Sequence, residues 1–370
     1  MDKNKLTRRS KLTRPLSLFG KSLLGNKWSQ IIHIFTAIFS LILSMGKLYD
    51  IYDDIKNGRY DNVLLKYERI MNFIVCLSIS CISLNYIFNK SYYIEFINLH
   101  SKIANSDYFG LFCNSHLTKW MKINHLFFVS FISFEVPFEI VYFIHDYILL
   151  EGFTFSSTLH LLSLVLSFKV CFLYEFIFET CTYLQSDFIL LDNLLVQLST
   201  QTHQTNEINV KSLRLLHNEI IKCTGLINKL FKYAVLCTYA YQIGHNVCLI
   251  GILSLDQFNS YLAIFIIKFI EQSIMLTLIT YHLVRVYQLS VQLFDKVYHL
   301  SFSLNPSHSI TTTNELNLFL LRINRNDIGF SFVGLCMVSP SFVSSLATIS
   351  ATLGLAMPSL IKSSAYEGIK

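Results

Sequence analysis

The run WSQIIHIFTAIFSLILSMGK, residues 28–47, follows a leader that carries eight Lys or Arg: Lys3, Lys5, Arg8, Arg9, Lys11, Arg14, Lys21 and Lys27. A helix rises about 1.5 Å per residue and the hydrocarbon layer is about 30 Å thick, so about twenty mostly apolar residues span it. Six further runs follow at 70–88, 124–145, 157–181, 233–255, 261–284 and 340–360. The chain is 52% hydrophobic and only 15% charged, against roughly 25% charged in a soluble domain. Its 31 Phe and 20 Tyr exceed what a soluble core of this size holds, which puts apolar surface against lipid. The expected fold class is an all-α integral membrane protein with seven transmembrane helices. No small-residue cleavage site follows the first run, which is therefore expected to act as an uncleaved anchor.

Orientation follows from the basic residues between the runs. The leader, the second loop (89–123), the fourth (182–232) and the sixth (285–339) hold 21 of the 30 Lys and Arg. The opposite loops and the tail hold six, and three more (Lys47, Lys169 and Lys268) fall inside the runs. The positive-inside rule makes the richer side cytoplasmic. The N-terminus is thus expected inside the cell and the C-terminus outside. The organisation is a basic cytoplasmic segment (1–27), a seven-helix domain (28–360) and a short extracellular tail (361–370). The net charge of +6 reflects membrane orientation, and no nucleic-acid partner is expected. The nine Cys avoid the outer loops and tail, so no disulfide framework is implied, and their spacing suits no zinc site. The sequon Asn89-Lys90-Ser91 falls on the cytoplasmic side and is expected to go unused.

The inner loops read as helical. From Leu213, apolar residues recur at Leu216, Ile220, Cys223, Ile227, Leu230 and Ala234, a 3.6-residue rhythm that extends the fifth span inward. The segment around Asp187 and Asp192 extends the fourth, and 285–303 extends the sixth. Packed together below the membrane, these extensions form an anchor domain. The alternative is that they lie flat on the headgroups.

Charge at membrane depth costs about 2.5–3.5 kcal/mol by insertion scales and normally finds a partner. Glu135 and Glu139 lie one turn apart on the third run with Pro137 between them. Lys169, at a similar depth on the fourth, is a natural partner for Glu135, and Glu175 and Glu179 lie deeper. The outer halves of the second to sixth spans offer Glu139, Tyr142, His145, His160, Gln242, His245, Asn246, Asn259, Tyr261, Phe265, Lys268 and Gln272. Apolar bodies with a few polar anchors suit a small organic ligand, and the same residue types also serve plain packing. No hydrolase, metalloprotease or phosphate-loop motif is present. No catalytic residue, metal or cofactor is therefore expected.

On these features the chain resembles the insect gustatory receptor family, relatives of insect odorant receptors. The likeness covers length, seven spans and inverted orientation. It is carried most closely by Leu213-Arg-Leu-Leu-His217 through Ile227-Asn228-Lys-Leu-Phe231, and by the turn Phe332-Val-Gly-Leu-Cys336 with the apolar run after it. The family signature there is Thr-Tyr, five apolar residues, then Gln-Phe. It falls on Thr352-Leu353, residues 354–358 and Ser359-Leu360, so Tyr, Gln and Phe are replaced by Leu, Ser and Leu. The resemblance implies a ligand-gated cation channel in the plasma membrane of sensory neurons. It would open to a small-molecule tastant and assemble as a homo- or hetero-tetramer around the seventh helix. That run is rich in hydroxyls, and Leu353, Met357 and Leu360 can form a hydrophobic constriction beside Thr352 and Ser359. The competing readings are a G-protein-coupled receptor and a non-conducting transporter or modifier subunit. The first needs an outside N-terminus and an Asn-Pro-x-x-Tyr motif, whereas Asn305-Pro306 is followed by Ser-His-Ser.

Overall fold

Apolar runs of this length close their backbone hydrogen bonds most simply as helices, and the chain is helical almost throughout. The structure, a computed structural model, describes residues 17–25, 27–56, 63–149, 155–200, 207–253, 260–303, 310–324 and 327–367. In order these form α1 (Leu18–Leu24), α2 (Lys27–Lys56), α3 (Val63–Phe88), α4 (Lys90–Ala104), α5 (Asp107–Phe112) and α6 (Asn114–Leu149). There follow α7 (Phe155–Thr200), α8 (Glu207–Leu253), α9 (Ser260–Ser303), α10 (Ile310–Ile323), β1 (Ser331–Phe332), β2 (Cys336–Met337) and α11 (Pro340–Glu367).

Each of the seven apolar runs lies on a separate helix (α2, α3, α6, α7, α8, α9 and α11), although residues 254–255 of the fifth fall outside the described residues. Among the described residues, His33–Asp53 and Phe269–Phe302 are by themselves long and apolar enough to cross a membrane. The pair Phe73–Phe88 and Lys90–Ala104, bent by 60°, counts as a third if it is one span, and Pro340–Ala356 is a shorter apolar helix. At that bend, Asn89 Nδ2 donates to Asn85 Oδ1 at 2.8 Å, and Asn85 Nδ2 donates to the Leu230 carbonyl at 3.0 Å.

The helical extensions read from the sequence are continuous with α7, α8 and α9. They pack on one another and on α4, α10 and α1 to make the largest core. Of the rhythmic positions on α8, Leu213, Ile220, Cys223, Ile227, Leu230 and Ala234 are buried, while Asn218 and Lys222 are exposed. Val286, Leu289, Leu293, Val297 and Leu300 line the matching face of α9. Outside a membrane such burial is ordinary hydrophobic stabilisation, about 1.5–3 kcal/mol for each fully buried Leu, Ile or Phe.

Some polar groups enter this core with partners from other helices. His100 Nδ1 on α4 faces both Asp187 oxygens on α7 at 2.9 and 3.1 Å, and both side chains are fully buried. Burial raises the Asp187 carboxyl above its usual range, and His100 acts against that shift. The Cys113 thiol donates to the Ser186 carbonyl at 3.2 Å, and burial, with Asp187 nearby, pushes it up to about 12.

Candidate functional site

The last helix is set on its base by a short β-hairpin, and the hairpin is fixed by α8 and α9. Asn228 Oδ1 on α8 accepts from the Ser331 backbone N–H at 2.8 Å and from its hydroxyl at 3.1 Å. Three residues along the same helix, Phe231 stacks on Phe330 with centroids 6.1 Å apart. From α9, the Ser290 hydroxyl donates to the Ile328 carbonyl at 3.0 Å. The two strands pair antiparallel, with Ser331 opposite Met337 and Phe332 opposite Cys336. Closing so tight a loop takes left-handed backbone at Val333 (φ 56°) and Gly334 (φ 79°). Glycine adopts that conformation freely, whereas a β-branched valine is strained in it. The turn read from the sequence at Phe332–Cys336 is this hairpin, and its tip residue Leu335 is exposed.

Helix α11 starts cleanly. The Ser339 hydroxyl accepts from the Phe342 N–H at 3.3 Å, and Pro340 takes the first helical position, where its missing N–H costs nothing. Phe342 packs edge-on to Tyr239 of α8 at 5.8 Å and against Phe332 at 5.3 Å, and half-buried Leu346 follows. Beyond this base the helix stands largely uncovered in the single chain. Ser344, Ser345, Ala347, Thr348, Ala351 and Thr352 are exposed, Leu353 is 47% and Leu355 80% exposed, and Gly354 is buried. The hydroxyls of Thr348, Ser350 and Thr352 donate to carbonyls one turn back at 2.8–3.0 Å, and Ser359 donates to the Ala356 carbonyl at 2.7 Å. They thereby satisfy themselves locally while each oxygen keeps a lone pair able to accept a further hydrogen bond.

Of the pore candidates, Thr352, Leu353 and Ser359 are all exposed on this helix. The side chains of Met357 and Leu360 lie outside the described residues. Of the ligand candidates, Asn246 is half-buried on α8. The side chains of Glu139, Tyr142, His145, His160, Gln242, His245, Tyr261, Phe265, Lys268 and Gln272 lie outside the described residues, as does Asn259. Their backbone positions distribute them over α6, α7, α8 and α9. Among the described residues, no group of His, Cys, Asp or Glu is arranged to hold a metal.

Two partnerships were not legible in the sequence. The expected pairing of Lys169 with Glu135 lies outside the described residues, because the Glu135 side chain does. Among the described residues, Lys169 Nζ donates to Thr36 Oγ1 on α2 at 2.7 Å. Glu179, buried on α7, accepts from the Ser17 N–H at 3.0 Å, from the Ser17 hydroxyl, and from the Tyr183 hydroxyl at 2.9 Å. Ser17 also caps α1, and Phe19 on α1 enters an aromatic cluster with Tyr86 and Phe176. The leader's end is thus tied to the fourth apolar helix.

Comparison with known proteins places this architecture. The family described as 7tm chemosensory receptor matches residues 19–353. No curated protein matches the sequence. The insect olfactory receptor OR5 from Machilis hrabei has a similar fold, with a TM-score of 0.68 at 10% identity, covering 96% of this chain and 97% of that one. The same receptor solved in complex with eugenol gives a TM-score of 0.70 at 10% identity, covering 97% and 98%. The family is one of receptors rather than enzymes. With a family match running through nearly the whole sequence, this chain belongs to the 7tm chemosensory receptor family.

Proposed function

We propose that the chain is a gustatory receptor subunit, a non-selective cation channel opened by a small-molecule tastant. In this reading the tastant binds among α6, α7, α8 and α9 in the outer half of the bundle. Helix α11 lines a pore at the axis of a homo- or hetero-tetramer in the plasma membrane. The observation that carries the reading is the surface of α11, where among the described residues the small and hydroxyl-bearing side chains of Ser344, Ser345, Ala347, Thr348, Ala351 and Thr352 are exposed in one chain. Four such helices around an axis would cover the alanines by close approach and leave hydroxyls to wet a conduit. Leu353 would narrow that conduit to a hydrophobic gate. The eugenol complex of the structurally similar olfactory receptor supports a small organic ligand. Such a ligand moves the gate only by its difference in affinity between the closed and open states.

The test is current in excised patches, without GTP, from cells expressing the full chain alone or with a second gustatory subunit, challenged with sugars and bitter compounds. The account expects tastant-evoked cation current. It also expects a positively charged thiol reagent applied from outside to suppress that current in Leu353→Cys. A G-protein-coupled receptor would give no current under these conditions. Replacement of the signature Tyr, Gln and Phe by Leu353, Ser359 and Leu360 favours one second reading, a modifier that does not conduct. That reading predicts altered current through the partner subunit, with Leu353→Cys insensitive to the reagent.

A further inference from the structure

Where α5 meets α6, a groove of about 550 Å³ is lined by Leu111, Asn114, Ser115, Thr118, Lys119 and Lys122. Among the described residues no carboxylate lines it. Several other lysines on the same side are engaged across helices: Lys102 with Glu219, Lys222 with Glu95 and Lys296 with Asp192. Lys119 and Lys122 instead point two positive charges at an open groove walled by hydroxyls and an amide. That chemistry fits a phosphate-bearing anion.

The position of the groove narrows the choice of anion. Lys119 and Lys122 stand five and two residues before the apolar run at 124–145, about 7 and 3 Å short of it at the helical rise. Spacings of three and four residues keep one helix face. The stripe Ser115, Lys119, Lys122, Leu126, Val129 and Ser133 therefore runs along a single side of α6, and all six are exposed. It passes from polar to basic to apolar on entering the span, and Leu126 is 69% exposed. Leu111, 72% exposed, flanks the groove from α5. A free phosphate would use only the lower half of this stripe, whereas a phospholipid would use both halves. We propose that the groove between α5 and α6 binds the headgroup of an anionic phospholipid of the cytoplasmic leaflet, with an acyl chain laid along Leu126 and Val129. The proposal rests on the inward placement of the second loop and is independent of channel activity.

The test is native mass spectrometry of the full-length receptor in detergent, titrated with dioleoyl phosphatidylserine, with dioleoyl phosphatidylcholine and with inorganic phosphate. Each basic residue near an anionic surface contributes about 1 kcal/mol, so K119Q/K122Q should weaken phosphatidylserine retention about 30-fold. The same change should leave phosphatidylcholine retention unmoved, and K119R/K122R should restore most of the loss. Inorganic phosphate at millimolar concentration should displace little of the bound phosphatidylserine. Equal retention by wild type and K119Q/K122Q would overturn the proposal. So would full displacement by inorganic phosphate, which would make the groove a soluble-anion site. Loss in K119Q/K122Q without rescue in K119R/K122R would assign the effect to misfolding and also count against it. An N-terminal tag located outside the cell would refute the inward placement separately, without bearing on retention.

Discussion

His217 sits within the Leu213–His217 stretch that carries the family likeness. It is fully buried, with its ring 5.1 Å from that of Phe319 on α10. Neither ring nitrogen has a hydrogen-bond partner among the described residues. Burial first, and Arg322 second, lower its pKa from 6.5 to about 4. The folded protein therefore holds the neutral imidazole while the unfolded chain takes up a proton below about pH 6.5. Between those two values the unfolded state binds more protons, so stability falls as pH falls. The loss from pH 7 to pH 5 should be about 2 kcal/mol. It should be read as a falling melting midpoint of the detergent-solubilised receptor, and His217→Phe should flatten that part of the profile. An equally steep profile in the variant would assign the pH dependence elsewhere. At this scale the sequence was least informative. Ser17 and Glu179 are 162 positions apart, and Thr36 and Lys169 are 133 apart. Local pattern says that a buried charge needs a partner but does not say which helix supplies it.

Among elements, the helices were legible and the hairpin only partly so. The 3.6-residue rhythm from Leu213 gave the helical course of α8 ahead of its apolar run because burial on one face repeats with the helical period. The turn at Phe332–Cys336 was placed by likeness to a family, since strands of two residues carry no periodicity to read. Its attachment to Asn228 depends on the tertiary fold. Asn228→Ala should remove the acceptor of two Ser331 donors and cost about 1–3 kcal/mol. Hydrogen exchange across residues 327–338 should rise, and Asn228→Asp should retain most of the protection. Unchanged exchange in the alanine variant would show that Phe330, Phe231 and Ser290 hold the hairpin without it. The hairpin joins α8 to the foot of α11, so it offers a mechanical route from helices that carry candidate ligand residues to the proposed pore.

At the scale of the whole molecule, seven apolar runs were legible because lipid demands length and helicity together. Among the described residues, each of the seven lies on a helix. The ligand-site candidates were chosen from residue type and depth alone, and most of their side chains fall outside the described residues. The central claim is the inverted seven-span topology, on which the pore, the outer ligand site and the lipid groove all depend. It is tested most directly by an epitope at the N-terminus and antibody labelling of cells before and after permeabilisation. The account predicts labelling only after permeabilisation, with a C-terminal epitope labelled on intact cells. Labelling of the N-terminal epitope on intact cells would contradict it.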